Sequence, residues 1–206
     1  MLKNAMGRPR GDTREKLVRG AFEALATLGY AGASSRAIGR LAGVNPALIF
    51  YYFDGVDDLL VTALADSSAR RLARYHDAVE GSQTVSDLAA ALGEIYRDDV
   101  ASGHLAGVSE LVAAGIGRPE LARRVAALME PWLDLVETAV GRVLAGSPLA
   151  EVTPARSLAR AAVVFYLGAN MLARLRPDAD EVGELLEDAE RFGTLLDGLL
   201  ASGGGA

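Results

Sequence analysis

No cysteine occurs among the 206 residues, which excludes a disulfide framework, a thiolate nucleophile and any cysteine-ligated metal site. Histidine is nearly as scarce. His76 and His104 stand 28 positions apart and match no local metal-binding spacing, so no metal site is expected. No nucleophile–base motif or glycine-rich phosphate loop is present, and the carboxylates are scattered along helical faces. The sequence therefore offers no catalytic residues and no cofactor site. Long hydrophobic runs are missing too. The longest nearly apolar stretch, 161–173, is bounded by Arg160 and Arg174, well short of the roughly 20 residues that span a bilayer. It reads as a buried helix, with no membrane partner. The N-terminus lacks the apolar core of a signal peptide, so the expected location is cytoplasmic.

Half of the residues are hydrophobic and only 6% are aromatic, a balance that suits an all-helical globular chain. The net charge of −6 hides an asymmetry. Residues 1–53 carry eight Lys/Arg against three Asp/Glu, whereas 54–206 carry thirteen against twenty-four. A basic end on an acidic protein points to a nucleic-acid partner met by that end alone.

The most informative stretch is 34–60, SSRAIGRLAGVNPALIFYYFDGVDDLL. Ser34 is placed to cap one short helix, with Ile38 and Leu41 as its inward stripe. Gly43 supplies the left-handed residue that ends it. Asn45 and Pro46 then cap and start a second helix. Ile49 and Phe53 bury that helix, leaving Ala47, Leu48, Tyr51 and Tyr52 outward. Two helices this short suit a helix-turn-helix whose second member enters a DNA major groove. Ala42-Gly43-Val44-Asn45, then Phe50-Tyr51-Tyr52-Phe53 and an acidic Leu-Leu run, resemble the signature of the tetracycline-repressor (TetR) family. Three positions depart from it: Phe50 replaces a tyrosine, Tyr52 a histidine and Val56 a lysine.

The resemblance implies an all-α protein of about nine helices. An N-terminal three-helix DNA-binding domain would be followed by a helical ligand-binding and dimerisation domain. It also implies a homodimer that regulates transcription, as a repressor released from a near-palindromic double-stranded operator by a small molecule. By the same resemblance Ser34, Tyr51 and Tyr52 would position the phosphate backbone, and Arg36 would reach a base edge. Ser35, Asn45 and Pro46 complete the expected DNA-facing set. Ala47 and Leu48, which cannot hydrogen-bond, suit thymine methyl groups. Arg8 and Arg10, in a flexible basic arm over 1–11, suit a minor groove. A second reading stays open: a helical small-molecule-binding protein or enzyme whose DNA-binding end is vestigial.

The expected division is a DNA-binding domain over 12–54, an effector-binding and dimerisation domain over 55–201, and a disordered tail over 202–206. The first helix begins near Asp12 with Glu15 completing a capping box, carries Leu17, Val18, Ala21, Phe22, Leu25 and Leu28 inward, and stops at Gly29. A fourth helix opens near Gly55. Thr84 or Ser86 starts another. Pro119 opens a long helix kinked at Pro131, Gly146-Ser147-Pro148 forms a loop, and Thr153 caps a helix with Pro154 first inside it. That helix is apolar nearly all round, so it must be covered on more than one side. The last, from about 180 to 201, has one wide apolar stripe. The two resemble the helices through which TetR-family proteins dimerise, and Phe165, Leu167, Met171, Phe192, Leu196 and Leu199 are the expected interface. Tyr96, Trp132, Phe165, Tyr166 and Asn170 are the expected lining of a pocket for an apolar or weakly polar effector.

Overall fold

Local capping rules decide the helix ends in the N-terminal third. The computed structural model describes residues 10–176 and 181–203, with no strand among them. Arg8 and most of the expected arm lie outside the described residues, as do residues 204–206. Helix α1 spans Arg10–Gly32, so the helix begins two residues before Asp12. Asp12 sits in its first turn and pairs with Lys16 at 2.6 Å instead of opening a capping box. Gly29 interrupts α1 with φ 69°, a conformation open to glycine because it has no Cβ.

Helix α2 is Ser35–Ala42. The Ser34 Oγ accepts from the Ala37 N–H at 3.3 Å, and Gly43 closes the helix at φ 64°. Asn45 Oδ1 accepts from the Ala47 N–H at 3.0 Å and opens a 3-10 turn, Pro46–Leu48, that runs into α3, Ile49–Tyr52. Helix α4 is Val56–Gly81 and α5 is Val85–Ala101. Thr84 caps α5 in a reciprocal box with Asp87. Then follow α6, His104–Gly115; α7, Pro119–Ala127; α8, Glu130–Val143; α9, Pro148–Val152; α10, Ala155–Leu175; and α11, Glu181–Gly203.

These bounds revise several expectations. The long helix from Pro119 is two helices, because Pro131 stands in the first turn of α8 and lacks the N–H that a continuous helix would use. Pro148 starts a short helix where a loop was expected. Pro154, not Thr153, is the cap residue of α10. With these extra pieces the helices outnumber the expected nine.

Packing sorts the described residues into two units. The first holds α1–α3, α4 as far as Ser68, and Ala106–Val125. A mid-chain segment thus folds with the N-terminal helices, which a boundary at residue 55 does not capture. Leu17, Leu25, Ile38, Ile49, Leu59 and Leu111 are fully buried there. Gly20 lets α1 and α2 approach closely, since a Cβ at that site would lie 2.8 Å from the Ala42 nitrogen. Leu28 and Leu41, expected inward, are 46% and 36% exposed. The buried side of α2 centres on Ala37, Ile38 and Gly39, and Gly39 lies against Pro46 and Val44, which turns Leu41 to the rim.

The second unit holds Ala69–Leu105 and the helices after residue 126. One core gathers Tyr75, Val79, Ile95, Val136, Val140 and Ala159, with Trp132 packed against it. A separate cluster gathers Tyr96, Leu105, Ala169, Val182 and Leu186, with Tyr166 beside it. Asp197 on α11 accepts from the Val85 and Ser86 N–H groups at 2.8 and 3.0 Å, so α11 satisfies the free donors at the start of α5. Arg156 on α10 joins Glu130, Asp134 and Glu137 of α8 at 2.6, 2.6 and 2.9 Å.

Candidate nucleic-acid interface

The first unit offers one face on which short helices leave their outward side open. Ile49 and Phe53 are buried at 0% and 8% exposure, so the opposite side of the 46–52 segment, Ala47, Phe50 and Tyr51, faces water. Leu48 and Tyr52 flank that side half-buried, less outward than the sequence pattern suggested. Phe50, absent from the expected contact set, is exposed at 66% and Tyr51 at 63%. Tyr51 stacks edge-to-face on Tyr52 with centroids 4.8 Å apart, which orients both rings. Arg36 and Arg40 on α2 are exposed, Ser34 is exposed at the α2 start, and Ser35 is half-buried. Arg14 of α1 lies over the Phe53 ring at 5.2 Å. Arg10 begins α1 and so belongs to a helix rather than to a flexible arm.

The acidic start of α4 is compensated from distant sequence. Arg118 pairs with Asp57, and Arg124 reaches Asp58 at 2.5 Å. The Tyr30 hydroxyl donates to Asp57 at 2.7 Å, Arg118 also meets that hydroxyl, and the Tyr30 N–H donates to Glu110 at 2.9 Å. Burial, then the Asp57 bond, push the Tyr30 phenol up. The arginine partners of Asp57 and Asp58 lie 61 and 66 residues away, so no local spacing announces them.

The second unit hides a polar cluster that sequence reading missed. Arg71 Nε stands 2.5 Å from Asp99 Oδ1, and its Nη2 reaches Asp98 at 3.1 Å. Tyr75 donates to Asp98 and Tyr166 to Asp99, both at 2.5 Å. The Tyr75 bond holds the Asp98 carboxyl below its ordinary range, whereas burial raises that of Asp99. Burial lowers the His104 imidazole to about 4, with Arg71 adding to the effect. The members come from α4, α5, α6 and α10, so no local motif announces them. Tyr96 packs edge-to-face on Tyr166 at 5.9 Å, and its buried hydroxyl has no hydrogen-bond partner among the described residues. Asn170 is buried one turn beyond Tyr166. Of the five expected pocket residues, the structure brings Tyr96 and Tyr166 together. Trp132 packs in the other core, and Phe165 is 40% exposed.

A capped pair of short helices at a left-handed glycine turn, with exposed arginines on the first of them, is the geometry of a helix-turn-helix. Residues 17–63 match the family of bacterial regulatory proteins called the tetR family. The chain is 24% identical to the HTH-type transcriptional regulator UidR of Escherichia coli K12 over 142 residues, 69% of this chain and 70% of that one. Its fold is similar to Salmonella enterica GusR (TM-score 0.69, 20% identity, covering 96% of this chain and 100% of that one). It is also similar to Bacillus subtilis FadR solved with stearoyl-CoA (TM-score 0.68, 16% identity, 86% and 95%). The family match thus lies on the helix-turn-helix segment of the first unit, and the relative matched over 69% of this chain is a transcriptional regulator.

Proposed function

We propose that this protein is a TetR-family transcriptional regulator, a homodimeric repressor that binds a near-palindromic operator and leaves it when a small molecule enters its second unit. The observation that carries the reading is an uncovered apolar face on α10 and α11. Val164, Met171 and Leu175 are 69%, 63% and 77% exposed, and Phe192, Leu195 and Leu199 are 62%, 67% and 68% exposed. A patch of this kind marks an interaction surface. Helix α10 is long and apolar enough to cross a membrane by length and composition. However, Arg156 is tied to three carboxylates of α8, and Asn170 is buried on its inner side, which suits a helix seated on protein. A second copy of the chain is the occupant that the resemblance of these two helices to the dimerising pair of the TetR family favours. Phe165, Met171, Phe192 and Leu199 would form its centre, with the half-buried Leu167 and Leu196 between them. Two-fold symmetry of the protein then calls for a near-palindromic site.

For the effector, the apolar cluster of Leu105, Ala169, Val182 and Leu186 around the unpartnered Tyr96 hydroxyl favours a largely apolar molecule with one polar handle. The protein would act in the cytoplasm, on the nucleoid. The test is to measure the mass of the full chain in solution and sequence the genomic fragments it captures. Twice 21.5 kDa and a shared inverted repeat are expected. A monomer, or fragments without a common repeat, would overturn the reading.

A further inference from the structure

Phe50 is an oddity in the first unit. It is 66% exposed, its neighbours on the outward side, Ala47 and Tyr51, are exposed too, and the adjacent Ile49 is buried. A lone exposed phenylalanine is unremarkable on most surfaces. Here it lies on the short second helix of a helix-turn-helix, in a segment whose charge favours DNA. Its ring has no donor or acceptor, so it can neither hold a phosphate nor pair with a base edge. What the major groove offers such a ring is the C5-methyl group of a pyrimidine.

We propose that Phe50 packs on a pyrimidine C5-methyl group, so that each half-site of the operator carries a thymine at the position facing residue 50. The proposal rests on the DNA-binding reading above. The sequence pattern gave methyl recognition to Ala47 and Leu48. In the structure Leu48 is half-buried and Ala47 offers one carbon, whereas Phe50 presents the larger apolar surface. Tyr51, held by its contact with Tyr52, stands beside Phe50 with a hydroxyl suited to the flanking backbone. Apolar and polar contacts would therefore divide between adjacent residues of one helix.

The same methyl can come from thymine or from 5-methylcytosine, and the experiment separates them. Duplexes are selected from a random library by the full-length protein. Each thymine of the selected site is then replaced by deoxyuridine, which removes only the methyl group. One position per half-site should lose about 4-fold in affinity, and about 15-fold when both halves are changed, the effect of uncovering one carbon group each. Phe50→Ala should bind more weakly to the parent site and show no penalty at that position, while Phe50→Tyr, which keeps the ring, should retain it. Placing 5-methylcytosine at that position should restore affinity relative to cytosine if the methyl alone is read. No loss on deoxyuridine substitution, together with restoration by thymine but not by 5-methylcytosine, would mean that a hydrogen bond to O4, which deoxyuridine keeps, is recognised instead of the methyl, and would overturn the assignment. A deoxyuridine penalty that survives in Phe50→Ala would overturn it too. If the wild-type chain selects no duplex at all, the DNA-binding reading itself fails, a result distinct from binding without methyl dependence.

Discussion

The Tyr30 hydroxyl donates to Asp57 across 2.7 Å, and Arg118 closes the triangle on both. The end of α1, the start of α4 and the segment between α6 and α7 thus meet at one phenol, while Glu110 holds the Tyr30 backbone. The Arg118–Asp57 pair is partly exposed, so solvent screening keeps its own contribution small. The Tyr30–Asp57 bond adds a further ~1–2 kcal/mol as a charge-assisted bond. Tyr30→Phe should lower unfolding stability by about 1 kcal/mol, and Arg118→Ala by less. Denaturant titration of both single variants and the double should show a combined loss smaller than the sum, because the three groups form one network. Strict additivity would mean that the triangle does not act as a unit.

Val56 is half-buried at the start of α4, where the resembling family carries lysine. With Asp57 and Asp58 already paired to Arg118 and Arg124, a new cation there meets compensated carboxylates. Val56→Lys should tighten binding to all duplexes alike. Two added phosphate contacts per dimer should steepen the slope of log K against log salt by about 1.8. Titration at several salt concentrations on operator and random DNA checks both expectations. An unchanged slope would mean that residue 56 does not face the backbone.

Phe192 and Leu195 are well exposed on α11, whereas Leu186 on the same helix is buried. Phe192→Glu or Leu195→Glu should yield folded chains of half the solution mass, with helicity retained. Leu186→Glu buries an unpaired charge and should cost helicity as well. Light scattering and circular dichroism separate the two outcomes. Full mass retained by both exposed-site variants would remove α11 from the subunit interface.

His104 makes stability depend on pH. Burial keeps the folded imidazole neutral down to about 4, while in the unfolded chain it titrates near ~6.5. As pH falls below the unfolded value, the unfolded chain binds a proton that the folded chain does not. Stability is therefore lost on acidification through that window, by at most about 1.4 kcal/mol per pH unit from this group. Asp99, raised by burial, opposes the trend towards the acid end. Unfolding free energies of the wild type and His104→Gln at several pH values should differ by a constant amount above the window and converge through it towards its acid end. Parallel curves would show that His104 is not held neutral.

The helix-turn-helix was legible because its signals are local. Ser34 bonds to a residue three positions on, Asn45 to one two positions on, and Gly43 terminates a helix by its own backbone freedom. The interior spacing of Ile49 and Phe53 likewise needs only the pitch of one helix. Leu28 and Leu41 escaped the same pattern, since which edge of a helix is covered depends on what packs beside it. Tertiary structure alone decided that Asp57 and Asp58 are neutralised by Arg118 and Arg124, and that Arg71, Asp99, His104 and Tyr166 share one buried cluster. Such groups meet only after loops of tens of residues have closed, and no sequence spacing encodes the direction in which separate helices bring their side chains. The apolar character of α10 was written in the sequence. That its outer face stays open within one chain was decided by packing, because α8 and α11 cover only one side of it.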